Sequence, residues 1–83
     1  MYYLYIVRCA DKTLYTGIAQ DVKKRIVEHN ASDVGAKYTR ARRPVKLVYT
    51  RRFRSRSTAS RAEVRIKQLS RKEKLIMIKT VKR

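Results

Sequence analysis

Six carboxylates and one histidine bound the chemistry open to this chain. Five of the acids have structural roles by position. Asp11 sits among turn residues, and Asp21 precedes an amphipathic run as a helix cap. Glu28 follows Lys24 by four as a helix pair, and Asp33 falls in a polar connection. Glu73 follows Ser70 by three, as in a capping box. Glu63 is left over, beside the buried stripe of its helix, although Ser60 and Glu63 also have capping-box spacing. Two-metal phosphodiester hydrolysis needs several convergent carboxylates. A single glutamate suits one Mg²⁺ or Mn²⁺ ion that keeps its waters, leans on substrate phosphate and binds weakly without it.

The other groups able to handle a proton or a phosphate are Tyr5, Tyr15, Arg25 and His29. Arg25 and His29 stand four apart and, with Val22 and Ile26, fall within about one third of a helix circumference. The two apolar residues dock the helix, and the two polar ones lie at the edge of that contact. Arg25 could clamp a phosphate and stabilise developing charge, or be one more solvated cation. His29 could assist in proton transfer, or be a polar helix-end residue near the dipole. The tyrosines read as core aromatics with satisfied hydroxyls. Alternatively they are proton-handling groups, with neighbouring cations favouring the phenolate.

Against six acids stand 23 lysines and arginines, for a formal charge of +17 on 83 residues. Such self-repulsion is costly unless a polyanion shares the surface, so nucleic acid is the expected partner. The densest cationic run is Lys37, Arg40, Arg42 and Arg43 around Tyr38 and Thr39, which reads as a phosphate-gripping loop. Cys9 is the only cysteine and His29 the only histidine, which excludes an intrachain disulfide and zinc-finger ligand sets. The apolar N-terminal run is about six residues, too short for a membrane span. A reducing cytoplasm is the expected compartment.

These residues must be held by a small fold. A chain of this length divides into no second core, so residues 1–83 are expected to form one domain. Tyr2 to Val7 is apolar or aromatic throughout, as in a central strand covered on both faces. Leu14 to Ala19 is its hairpin partner. A two-residue turn at Asp11-Lys12 would pair Tyr5 with Ile18 and put Tyr5 and Tyr15 on opposite faces. A three-residue loop would pair Tyr5 with Gly17 or Ala19 and bring both tyrosines to one face. A helix follows from Val22 to about Ala31. Pro44 then opens an edge strand, Val45 to Phe53, in which Val45, Leu47 and Tyr49 alternate with Lys46, Val48 and Thr50. After a basic turn from Arg51 to Arg56, Ser57 caps a helix whose Ala59, Ala62, Ile66 and Leu69 recur at threes and fours. Ser70 caps a last helix to about Val81, with a strand through Leu75 to Ile78 as the rival. The fold class is α/β, a three-stranded antiparallel sheet flanked by helices in the order β-β-α-β-α-α.

The ordered set Tyr3-Leu4-Tyr5, Tyr15-Thr16-Gly17, Arg25, His29 and Glu63 resembles the GIY-YIG nuclease domain, particularly its small stand-alone bacterial members of the UPF0213 type. The resemblance covers almost the whole chain. It implies a metal-dependent endonuclease that hydrolyses DNA phosphodiester bonds, with DNA the expected partner ahead of RNA, in which Tyr5, supported by Tyr15 and His29, activates water, Arg25 clamps the scissile phosphate and Glu63 holds the metal. The alternative is a non-catalytic DNA- or RNA-binding module on the same fold.

Overall fold

The computed structural model describes residues 1–31, 39 and 41–81. Lys37, Tyr38 and Arg40 of the cationic run, and Asp33, lie outside the described residues. The elements are β1 (Tyr2–Arg8), β2 (Leu14–Ala19), α1 (Val22–Ala31), β3 (Lys46–Phe53), α2 (Arg56–Lys67) and α3 (Arg71–Val81). They form a three-stranded antiparallel sheet in the order β2-β1-β3, with β1 central as its unbroken apolar run requires.

Each face of β1 has its own core. Tyr5 and Val7 pack with Cys9, Val45 and the α1 residues Val22 and Ile26. Leu4 and Ile6 pack on the opposite face with Tyr49, Ala62 and Ile66 of α2, and Met77 and Ile78 of α3. Ala59 and Ala62, both buried, allow α2 to approach the sheet closely.

The hairpin has the odd loop that a shared tyrosine face demands. Cys9 N–H donates to Thr13 O and Lys12 N–H donates to Cys9 O, each at 2.9 Å. Lys12 takes the left-handed conformation at φ 70°. This is a three-residue turn closed by a left-handed residue. Asp11 Oδ1 braces it by accepting from Thr13 N (3.1 Å) and Thr13 Oγ1 (2.6 Å). Tyr5 therefore pairs with Gly17 and Val7 with Tyr15, leaving the two tyrosines diagonal neighbours on the α1 face.

Helix starts follow side-chain capping. Asp21 Oδ1 accepts from Lys24 N at 3.1 Å. Ser70 and Glu73 exchange reciprocal bonds at 2.8 and 3.1 Å, so 75–78 is helical and the rival strand is absent. Three expectations are corrected. The cap of α2 is Ser55, whose hydroxyl accepts from Thr58 N, and Ser57 lies inside the helix. The basic turn shrinks accordingly, since Arg51 to Phe53 belong to β3 and Arg56 to α2. The alternation expected of β3 breaks at a register shift opposite Ile6 and Val7. The extra residue sends Val45 and Tyr49 into different cores and leaves Leu47 39% exposed.

Candidate active site

Two motif strands and two helices converge at the β2 edge of the sheet. Tyr5 of β1, Tyr15 and Gly17 of β2, Arg25 of α1, and Arg56 and Glu63 of α2 line a surface cleft of about 430 Å³. Tyr5 contributes wall rather than open surface, because only 1% of it is exposed. Gly17 is required by that wall. A Cβ added there would lie 2.5 Å from Tyr5 Oη and 2.6 Å from its Cζ, so the ring occupies the space a side chain would need.

His29 lies behind the cleft, fully buried, with its ring edge-on to both tyrosines at centroid distances of 5.8 Å (Tyr5) and 5.5 Å (Tyr15). Its Nε2 is 2.8 Å from Tyr5 Oη, and its Nδ1 is 2.8 Å from Oγ1 of the fully buried Thr39. His29 is thus a central packing residue of α1, more deeply placed than the edge position its helical spacing suggests.

After α1, the described residues Arg42, Arg43 and Val45 are tied down through side chains. Asn30 behaves like a neighbouring strand, donating to Val45 O (3.1 Å) and accepting from Val45 N (2.6 Å). Arg43 Nε donates to His29 O at 2.6 Å, satisfying a carbonyl near the C-terminal end of α1. Arg42 Nε pairs with Asp11 Oδ2 at 3.0 Å, and Ala10 N donates to Arg42 O. The two described cations of the expected phosphate-gripping run are therefore both engaged within the fold. Glu28 pairs with Arg25 at 3.0 Å, one residue nearer than the expected Lys24.

Electrostatics revise the expected state of Tyr5. Burial pushes its phenol above the ordinary value and outweighs the hydrogen bond and charge of Arg25, so Tyr5 rests as the neutral phenol. The Arg25 guanidinium is held protonated: burial opposes its charge, but bonds to Glu28 and Tyr5 prevail. Burial also lowers the His29 pKa, with Arg25 and Arg43 acting in the same sense and Glu28 against them. His29 is consequently a neutral imidazole at neutral pH.

Glu63 sits in mid-helix, which removes the capping-box reading. Its Oε2 is 3.1 Å from Lys67 Nζ, and its side chain is partly exposed toward the cleft. Among the described residues, no group of three or more His, Cys, Asp or Glu side chains could enclose a metal ion. Among the described residues, the carboxylate at the cleft, Glu63, fits a hydrated hard divalent ion completed by substrate phosphate.

Thr39, Asn30 and the packing role of Gly17 are the site features that sequence reasoning missed. Thr39 carried one signal, an uncharged hydroxyl inside a cationic run. Asn30 carried none before its partner Val45 was known.

The cleft thus brings a tyrosine pair, an arginine and a helical glutamate together at one edge of a three-stranded sheet. Residues 1–76 match the family model described as the GIY-YIG catalytic domain, and the chain belongs to that family. Its members are generally endonucleases that act on nucleic acid with divalent metals. The chain is similar to UPF0213 proteins. That of Desulfotalea psychrophila is 55% identical over 78 residues, covering 94% of this chain and 71% of the other. That of Halobacterium salinarum is 55% identical over 74 residues, covering 89% and 95%. The solution structure of a UPF0213 protein from Bacillus halodurans has a TM-score of 0.63 at 45% identity, over 98% of this chain and 86% of that one. The solution structure of a protein from E. faecalis has a TM-score of 0.65 at 42% identity, over 95% of this chain and 83% of that one. No helix among the described residues is long and apolar enough to cross a membrane.

Proposed function

We propose that the chain, working as one domain, is an endonuclease that hydrolyses DNA phosphodiester bonds with one divalent metal ion. The observation that carries this reading is the meeting of Tyr5, Tyr15, Arg25 and Glu63 from four separate elements on one cleft. A basic surface alone would need no such convergence.

Each residue then has a task matched to its surroundings. Arg25, kept charged beside Tyr5, binds the scissile phosphate and meets the negative charge that grows on it in the transition state. Tyr5 takes a proton from water while its own phenolic proton passes to His29 Nε2, so no free phenolate is needed. Tyr15 packs on the His29 ring and bounds the water's position. Glu63 would hold Mg²⁺ or Mn²⁺ together with the substrate, releasing Lys67. When bound, the ion supplies Lewis-acid polarisation of the phosphate and support for the leaving oxygen. Hydroxide adds to phosphorus, the bond to the departing sugar oxygen breaks, and that oxygen takes a proton from solvent.

The Glu63–Lys67 pair and the covered Tyr5 hydroxyl favour a second reading, a binding module with a quiescent site. Incubation of the purified protein with single-stranded, duplex and branched DNA, under Mg²⁺, Mn²⁺ or chelator, separates the two. Metal-dependent cleavage of any substrate is expected. Binding without cleavage under every condition would establish the module.

A further inference from the structure

We infer that Thr39 is a positioning residue that fixes the tautomer of His29, keeping Nδ1 protonated and Nε2 free to accept the Tyr5 proton. The inference deepens the endonuclease reading and rests on it for its catalytic consequence.

The argument starts at the Tyr5 oxygen. Among the described residues, the polar groups set against it are the Arg25 guanidinium and His29 Nε2, the latter at 2.8 Å. A guanidinium has donors only. Of these two, only Nε2 can accept the phenolic proton, and it can do so only if it carries none itself. The proton of a neutral imidazole must then sit on Nδ1, which faces Thr39 Oγ1 at 2.8 Å. A threonine hydroxyl can accept that N–H bond in a site where Thr39 and His29 are both fully buried and water does not compete. The Nδ1–H form is the minor one for a histidine side chain in water, so its selection here needs a built partner.

Thr39 is delivered by the same bonds that tie the segment after α1. Arg42 N donates to Thr39 O at 2.9 Å, and Arg42 is anchored to Asp11 in the hairpin turn. Turn, segment and imidazole are thus linked, and Thr39 reaches the chemistry through His29 without touching the cleft. During hydrolysis the proton count balances. Water loses one proton to Tyr5, Tyr5 passes one to Nε2, the phenol ends unchanged, and the imidazolium returns its extra proton to solvent by the reverse route.

His29 is the sole histidine, so its ring nitrogens can be read without ambiguity in a uniformly ¹⁵N-labelled protein. Long-range ¹H–¹⁵N correlations at neutral pH should show a protonated Nδ1 and an unprotonated Nε2. The opposite pattern in the wild type overturns the inference, whatever the enzyme does. Thr39→Val should shift the ring toward Nε2–H and lower kcat at least about 10-fold with KM little changed. Thr39→Ser should restore both. A folded Thr39→Val with wild-type tautomer and rate also overturns it. Should Thr39→Val not fold, the wild-type spectrum together with kcat and tautomer in Thr39→Ser decides. A wild type that has the expected tautomer but cuts no DNA removes the endonuclease reading and leaves the tautomer assignment standing.

Discussion

Glu63 and Arg25 have different tasks at the cleft, and their substitutions should separate accordingly. Glu63→Gln keeps the side-chain shape and a mid-helix position, so folding should hold while Mg²⁺-dependent cleavage is lost. DNA binding should stay equal or tighten, because a negative charge facing phosphate is gone. Arg25→Ala should lower cleavage by about 10²-fold or more, as expected for a group that stabilises transition-state charge, while weakening binding only slightly. Parallel cleavage and filter-binding assays test the pair, and full cleavage by Glu63→Gln sinks the metal assignment. His29 gives a prediction for stability. Its folded pKa lies below the ordinary value near 6.5, through burial and then Arg25 and Arg43, against Glu28; among the described residues Tyr5, Tyr15 and Thr39 also face the ring. Between the folded and unfolded values the unfolded chain binds the extra proton, so stability rises with pH in that window. The contribution is complete above about pH 6.5 and is lost as pH falls through the depressed folded value. Urea midpoints should be flat above pH 7 and fall on acidification before the carboxylates titrate. A midpoint that rises between pH 7 and 5.5 contradicts the buried neutral imidazole. At this scale the residue types were legible in sequence and their states were not. Tyr5 was expected to feel its cations, but its charge state is decided by how completely Leu4 to Val7 are enclosed, which no linear spacing conveys.

The hairpin shows how an element sets the geometry of a site. Its odd loop makes Tyr5 pair with Gly17, and Gly17 gives the Tyr5 ring the room to reach His29. Gly17→Ala should therefore destabilise the fold by about 1–3 kcal/mol through overpacking, and should displace the Tyr5 hydroxyl and abolish cleavage. Ser55→Ala provides the contrast. It removes a helix cap worth about 1 kcal/mol and should leave the cleft chemistry intact. Urea unfolding with cleavage measured under native conditions compares them, and an active Gly17→Ala of wild-type stability would refute the steric argument. Local rules read well where one signal dominates. The Asp21 cap, the Ser70–Glu73 box and the unbroken apolar β1 follow directly from side-chain chemistry. They failed where two serines competed, since Ser55 and Ser57 offer the same capping chemistry and only tertiary placement chooses between them. They failed again at β3, because a bulge is set by the partner strand. The β3 sequence gives alternation that continues past Leu47, and only pairing with Ile6 and Val7 reveals the extra residue.

For the whole molecule, the question is which of 23 cations remain available to a polyanion. Arg42 is committed to Asp11, Arg43 to the His29 carbonyl, Arg25 to Glu28 and Tyr5, and Lys67 to Glu63. Arg56 lines the cleft and makes no ion pair among the described residues. Density of charge along the sequence and availability to a polyanion are therefore different quantities, because Arg42 and Arg43 of the densest run also hold the fold. With so large a net charge, DNA affinity should come mostly from counterion release, be weakly dependent on sequence, and fall linearly with rising salt on logarithmic axes. Removing one phosphate-contacting cation should reduce that salt slope by about 1 and weaken binding across all sequences alike. Arg56→Ala should do this. Arg42→Ala should leave the slope nearly unchanged, while loosening the hairpin turn that the Arg42 guanidinium braces through Asp11. Fluorescence anisotropy with a metal-free duplex at a series of salt concentrations measures both slopes, and thermal unfolding reports the loosening. If Arg42→Ala flattened the slope more than Arg56→Ala, the polyanion would contact Arg42 rather than Arg56 on the α2 wall of the cleft, and the assignment of Arg56 to the binding face would be wrong.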